Sequence, residues 1–294
     1  MKDILASVVL VDYKRKIFIK DAIASILNQK GIDPKNIELI VVKNYEDKEI
    51  DNYIKNNFIH NKIINLQENN ETRRIGYKLG IGIENTSSNI IFLLEDDDMF
   101  TENKIARILD ISKSIKLKNY AIHNAKIYIN ENKEIIYKES KKEFKKEDGN
   151  VSSYTLVVDN ETKKELSNMI KNIDIKADLF LYLYFKYKRA YIKLFEHLTK
   201  FRIHQFNTSV DFNIDIVKRS LKDLEYMEKY YKNNKIFKIS MFSTKIILNL
   251  FDNGNYKIEY SFDMRFKELI KYLMYKFMRN KLKEYYKKRY KNLL

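Results

Sequence analysis

Apolar and polar positions fall in alternating blocks along the first hundred residues. Ser7-Val8-Val9-Leu10-Val11 is an uninterrupted, β-branched run that predicts a strand over Ala6–Val11,. Over 16–28, apolar residues at 17, 18, 22, 23, 26 and 27 keep a helical spacing,. A second strand is predicted over 37–42 (Glu38-Leu39-Ile40-Val41-Val42), and a short helix over 46–59 from apolar positions 50, 54 and 58,. A third strand over 62–66, a helix over 72–84 weakened by Gly76, Gly80 and Gly82, and a fourth strand over 90–94 follow,. Strands alternating with helices in this way predict stacked βαβ units, an α/β fold with a mostly parallel central sheet flanked by helices. Right-handed crossovers then gather the strand ends on one edge.

The pattern changes after residue 100. A helix is predicted over 102–115, with Ile105, Ile108, Leu109 and Ile115 on one stripe, then a hairpin over 120–137 turning at Asn130-Glu131-Asn132-Lys133,. The charged run 138–150 reads as a mobile loop, and 151–158 as a strand,. Asp159 or Asn160 caps a helix over 161–171,. Ala177–Tyr187 is apolar and aromatic, a buried helix, and 191–198 and 200–204 read as two short extended pieces,. From 212 onward the spacing is helical. The division expected is 1–210 for the α/β domain and 211–294 for a basic helical extension,.

The fourth strand ends in Glu95-Asp96-Asp97-Asp98. Four successive carboxylates repel one another unless they face water or share a cation. Ligands in open α/β sheets bind at the carboxyl ends of strands. The run is therefore either a solvated acidic turn or a site for a hard divalent ion such as Mg²⁺ or Mn²⁺.

The 294 residues are 45% hydrophobic and 33% charged, ample for a sizeable core,. Without cysteine, disulfides and thiolate metal sites are excluded,. The start of the chain lacks the apolar core of a signal peptide, and no run approaches the roughly 18 apolar residues of a membrane span, so the expected location is the cytoplasm,. A net charge of +16 suits a polyanion, an anionic membrane surface or simply a lysine-rich composition,.

Several stretches together resemble the family 2 glycosyltransferases of the GT-A fold. Val8-Val9-Leu10-Val11-Asp12-Tyr13 followed by Ser25-Ile26-Leu27-Asn28-Gln29 is similar to that family's first strand, tyrosine turn and "SILNQ" helix. Leu94-Glu95-Asp96-Asp97-Asp98 is similar to its D-x-D segment, and Phe201-Arg202-Ile203-His204 with Asn207 and Ser209 to its "YRIH..N.S" segment. The resemblance implies a metal-dependent, inverting transferase that moves a sugar from a nucleoside-diphosphate donor to a hydroxyl on a glycan, a lipid-linked or a protein-linked acceptor. It implies Asp97 as the main metal ligand, with Glu95, Asp98 and His204 as alternatives, and Mn²⁺ or Mg²⁺ as the cofactor. Asp96 would accept from the ribose and Tyr13 would stack near the base. For the base that deprotonates the acceptor it implies Asp178, or Asp174 four residues earlier.

Three departures bear on the donor site. Lys43 stands where the family places an aspartate that reads the base, and a lysine only donates,. It suits a carbonyl acceptor such as guanine's, with Asp12 as the acceptor in its place and Asn44 beside it; alternatively Lys43 pairs with Asp12 across neighbouring strand ends,. The family's arginine after the third strand falls at Leu79, leaving Arg73 and Arg74 as phosphate ligands or as solvated helix-start charges,. Arg202 is a further phosphate candidate, and His204 is either a metal or diphosphate contact or a structural histidine,.

In the basic stretch 262–294, an apolar stripe at 266, 269, 270, 273, 277 and 278 predicts an amphipathic helix,. It packs on 212–250, lies on an anionic membrane that holds a lipid-linked acceptor, or binds nucleic acid, the weakest of the three readings,. The rival to the enzyme is a GT-A scaffold that has lost its chemistry and serves as a basic membrane- or nucleic-acid-binding protein.

Overall fold

The apolar runs become the strands of one sheet because only burial on both faces removes so much β-branched surface from water. The structure, a computed structural model, describes residues 4–13, 16–146, 149–204 and 214–252, with 256 and 271. The chain divides into two compact units, Met1–Ile203 and His204–Leu294.

The first unit opens with β1 (Ala6–Val11), α1 (Lys16–Leu27), β2 (Ile37–Lys43), α2 (Lys48–Asn57), β3 (His60–Asn65), α3 (Ile75–Glu84) and β4 (Ile90–Glu95). Then come β5 (Met99–Phe100), α4 (Lys104–Ser114), β6 (Tyr120–Ile129), β7 (Ile135–Lys138) and α5 (Lys141–Lys146). It ends with β8 (Tyr154–Val157), α6 (Asn160–Ile170), α7 (Ala177–Tyr187) and β9 (Tyr191–Arg202). The sheet runs β3-β2-β1-β4-β8-β6-β9-β5, with β7 added to β6. The first four strands are parallel. Beyond β4 the pairs are antiparallel, except β6 with β9. The parallel half sets the carboxyl ends of β1, β2 and β4 side by side, Val11 opposite both Val42 and Glu95.

The glycines of α3 set how closely it packs. A methyl at Gly82 would lie 2.2 Å from Val9 Cγ1, and one at Gly76 2.2 Å from the carbonyl oxygen of Ile170. The helix therefore lies directly on β1 and α6, closer than a side chain allows.

Two segments differ from the sequence-based expectation. The charged run 138–150 holds α5, whose Phe144 is buried against the His123 ring at 4.9 Å. A single anchoring aromatic turns this lysine-rich stretch into a docked helix rather than a loop. The extended pieces near 191–204 join as one strand, β9, because β6 offers it a parallel ladder along its length, with register shifts between Asn124 and Lys126,.

In the second unit, α8 (Ile214–Tyr231) buries Leu221, Leu224 and Met227, and α9 (Lys235–Phe251) buries Phe237, Ile246 and Leu248. Asn234 caps α9 by accepting from the N–H groups of Ile236 and Phe237, and Lys218 pairs with Asp252 at 2.9 Å,. The amphipathic helix expected over 262–294 lies outside the described residues except for Lys271, as do Asn207 and Ser209. Among the described residues no helix is long and apolar enough to cross a membrane.

Candidate active site

Main-chain bonds tie the ends of β1 and β4 together. The Asp96 N–H donates to the Val11 carbonyl at 3.1 Å, and the Tyr13 N–H donates to Asp96 Oδ2 at 2.9 Å. Asp96 is thus held at the junction of the two strand ends, beside the tyrosine.

Asp98 turns inward. Its Oδ1 accepts from the Arg202 N–H at 3.1 Å and its Oδ2 from Asn150 Nδ2 at 2.8 Å. Burial, and then the neighbouring charge of Asp97, push the Asp98 carboxyl up to about 7, against hydrogen bonds from Ser152, Arg202 and Asn150 that pull it down,. Ser152, fully buried, also accepts from the Glu95 N–H at 3.0 Å, and its carbonyl accepts from Lys104 Nζ at 2.7 Å. Burial holds the Lys104 ammonium well below its ordinary range, with the Asp98 charge opposing,. Neither Asn150 nor Ser152 is suggested by sequence pattern, because the contacts span about fifty residues.

Asp97, the expected metal ligand, and its alternatives Glu95 and Asp98 follow one another at the end of β4. Among the described residues no three such groups converge on an ion. Asp98 accepts from Asn150 and Arg202, and Asp96 from the Tyr13 N–H. His204 is buried and opens the second unit.

At the end of β2, Lys43 does not pair with Asp12. It is fully buried and lies 2.5 Å from Asp51 on α2, while Asp12 accepts from the Tyr45 hydroxyl. Burial and the Asp12 bond raise the Tyr45 pKa, so this phenol stays protonated and donates,. Lys78 of α3 is the residue that sequence reasoning missed. It is 1% exposed, donates to the Asp12 carbonyl at 2.6 Å and to Asn44 Oδ1 at 3.2 Å, and sits 4.1 Å over the Tyr13 ring. A cation inside the apolar face of a glycine-rich helix was the available signal.

The arginines separate. Arg73 is exposed and pairs with Glu68 at 3.2 Å, and Arg74 stands at the N-cap of α3. Arg202 is a buried brace, not a free phosphate ligand. Its Nε donates to the Asp97 carbonyl at 2.9 Å, Nη1 to the Glu131 carbonyl at 2.8 Å, and Nη2 to Asp21 at 2.8 Å. Its guanidinium lies 4.5 Å over the Phe18 ring.

Asp178 sits in the first turn of α7, its Oδ1 accepting from the Leu179 N–H at 2.7 Å. Burial raises its pKa, opposed by the charges of Lys176 and Lys126,. Asp174 uses its carbonyl to accept from the Ile75 N–H at 3.2 Å, which ties it to the start of α3.

A sheet whose parallel half ends in buried acids, beside a tyrosine turn, is the architecture of a GT-A glycosyltransferase,. The glycosyl transferase family 2 model matches residues 7–159, more than half of the chain, and the protein belongs to that family. Similar solved structures include TarS 1-349 of S. aureus in complex with UDP-GlcNAc (TM-score 0.58, 10% identity, covering 90% of this chain and 77% of that one). TarS 1-349 in complex with UDP is also similar, with TM-score 0.51 and 11% identity over 91% and 78% of the two chains. The longer S. aureus TarS structure gives 0.57 at 10% identity, over 90% of this chain and 46% of that one. No curated protein matches the sequence significantly.

Proposed function

We propose that the protein transfers a sugar from a nucleoside-diphosphate donor to a hydroxyl acceptor with inversion at the anomeric carbon. The observation that carries this is the joint of Tyr13 and Asp96, whose main-chain N–H and carboxylate meet at the carboxyl ends of β1 and β4. The family match and the UDP and UDP-GlcNAc complexes of TarS support the donor class.

The residues fit a divalent ion on chemical grounds. Asp97 and Asp98 are hard oxygen donors close enough for the charge on one to raise the pKa of the other, a repulsion that a cation reverses,. Mg²⁺ and Mn²⁺ sites of this kind take one or two carboxylates and complete their shell with phosphate oxygens and water. Asp97 would hold the ion, with Asp98 beside it. When bound, the ion supplies positive charge to the departing diphosphate.

Asp96 would accept from a ribose hydroxyl, and Tyr13 would stack on the base. Asp178 takes the proton of the acceptor hydroxyl as its oxygen attacks the anomeric carbon. The bond from that carbon to the phosphate oxygen breaks, and its electron pair leaves with the nucleoside diphosphate. A raised carboxyl pKa brings Asp178 nearer the working range of a general base than an ordinary aspartate,.

The test is thermal shift and transfer with UDP, GDP and UDP-sugars, with and without Mn²⁺. Metal-dependent stabilisation, lost in Asp97→Ala, is expected. Asp178→Asn should lower kcat about 10²- to 10⁴-fold while donor binding is kept. Full activity of Asp97→Ala, or full activity in excess chelator, refutes the metal-dependent reading.

A further inference from the structure

We propose that Ser152 is a positioning residue for the divalent ion: its hydroxyl clamps the acid turn that carries Asp97, and so sets how tightly the ion binds. The inference rests on the metal-assisted reading above and adds a residue that the reading does not contain.

The argument starts from what one hydroxyl can do. It has one proton to give and two lone pairs to accept with. Ser152 Oγ accepts from the Glu95 N–H at 3.0 Å, since a main-chain amide only donates,. Its own proton goes to the Asp98 carboxylate, which when ionised only accepts,. One oxygen thus joins the two ends of the Glu95–Asp98 turn. The main chain joins the same two residues once more, through the Asp98 N–H and the Glu95 carbonyl at 3.2 Å. Two bridges across four residues leave the Asp97 peptide little freedom, and Arg202 Nε also holds its carbonyl at 2.9 Å.

Ser152 is itself fixed. It is fully buried in the 3₁₀ turn Val151–Ser153. Its carbonyl accepts from Lys104 Nζ at 2.7 Å and from the Thr199 hydroxyl at 3.1 Å. Lys104 also donates to the Thr199 hydroxyl at 2.9 Å, and sits 4.2 Å over the Phe100 ring. A buried ammonium is costly unless it is hydrogen-bonded. Here its bonds go to the residue that seats the acids and to that residue's second anchor. The clamp therefore stands on α4 and β9, two elements outside the acid turn. Groups that orient a metal's ligands without touching the ion commonly account for roughly 10- to 100-fold of its affinity.

The experiment is Mn²⁺ binding to the full chain with UDP present, read from the loss of the free-ion EPR signal. Ser152→Ala should weaken Mn²⁺ binding roughly 10- to 100-fold. Ser25→Ala controls for destabilisation alone. Ser25 Oγ is likewise buried and accepts from a main-chain N–H, that of Phe100 at 3.0 Å, but gives its proton to the Ala22 carbonyl at 2.7 Å. Ser25→Ala should lower Tm and leave Mn²⁺ affinity unchanged. Should Ser152→Ala fail to fold, Ser152→Cys, a small side chain with a weak donor, is read in its place. Unchanged Mn²⁺ affinity in the Ser152 variant, or an equal loss in Ser25→Ala, overturns the inference. Failure of the wild type to bind Mn²⁺ overturns the metal reading itself, and this inference with it.

Discussion

Replacing Arg202 with methionine should destabilise the fold rather than merely weaken substrate binding. The side chain is 1% exposed and gives hydrogen bonds to two carbonyls, those of Asp97 and Glu131, and to the Asp21 carboxylate. Methionine keeps the stem and its packing on Phe18 but removes every donor. Each buried carbonyl left without a partner costs about 1–3 kcal/mol. The Asp21 contribution is discounted, because that carboxylate is 24% exposed and keeps Lys133 at 2.9 Å,. The total is then about 3–5 kcal/mol, a large share of a typical ~5–15 kcal/mol stability. At about 2–4 °C per kcal/mol for a domain of this size, Tm should fall by roughly 6–20 °C. Urea unfolding followed by circular dichroism measures the loss directly, and Arg202→Lys should recover little, since an ammonium lacks the planar fork. A loss below about 1 kcal/mol with a raised donor KM would refute the brace and return Arg202 to the diphosphate.

Two further outcomes follow from buried geometry. Burial, with Lys193, Lys126 and Lys104 nearby, holds His123 well below its ordinary 6.5, so its ring is neutral in the folded protein. The unfolded chain then binds the extra proton below about pH 6.5, so stability should hold above that value and fall progressively beneath it. In His123→Phe this acid limb of Tm against pH should flatten, and superimposable curves would show that His123 is not its cause. Gly82→Ala should cost roughly 1–3 kcal/mol by pushing a methyl into Val9, although helix propensity alone predicts a gain of about 1 kcal/mol,. A double-mutant cycle with Val9→Ala should recover part of the loss, and a stabilised Gly82→Ala would end the close-packing argument.

The fold was legible where local pattern and burial coincide. The run Ser7–Val11 and the aromatic stretch Ala177–Tyr187 become a strand and a helix with the predicted bounds, because each is apolar enough to specify its own burial. Asp159 is the cap of α6, one of the two residues expected. The acid run at the end of β4 also stands where the alternation of elements put it. What escaped is long-range. Nothing near Asn150 or Ser152 announces a contact with Asp98 or Glu95, and the role of Arg202 depends on Asp21 and Glu131, far off in the chain. The pairing of Lys43 with Asp12 failed because its partner is Asp51, one helix onward, rather than the residue on the adjacent strand. Single-sequence pattern weighs neighbours at helical and strand spacing, and these bonds have neither.

The acids at the heart of the molecule are steadied by peptide groups: Asp96 by the N–H of Tyr13, Asp98 by the N–H of Arg202. Every amino acid except proline brings such a group, whatever its side chain. Substitution of the flanking side chains can therefore leave both carboxylates anchored.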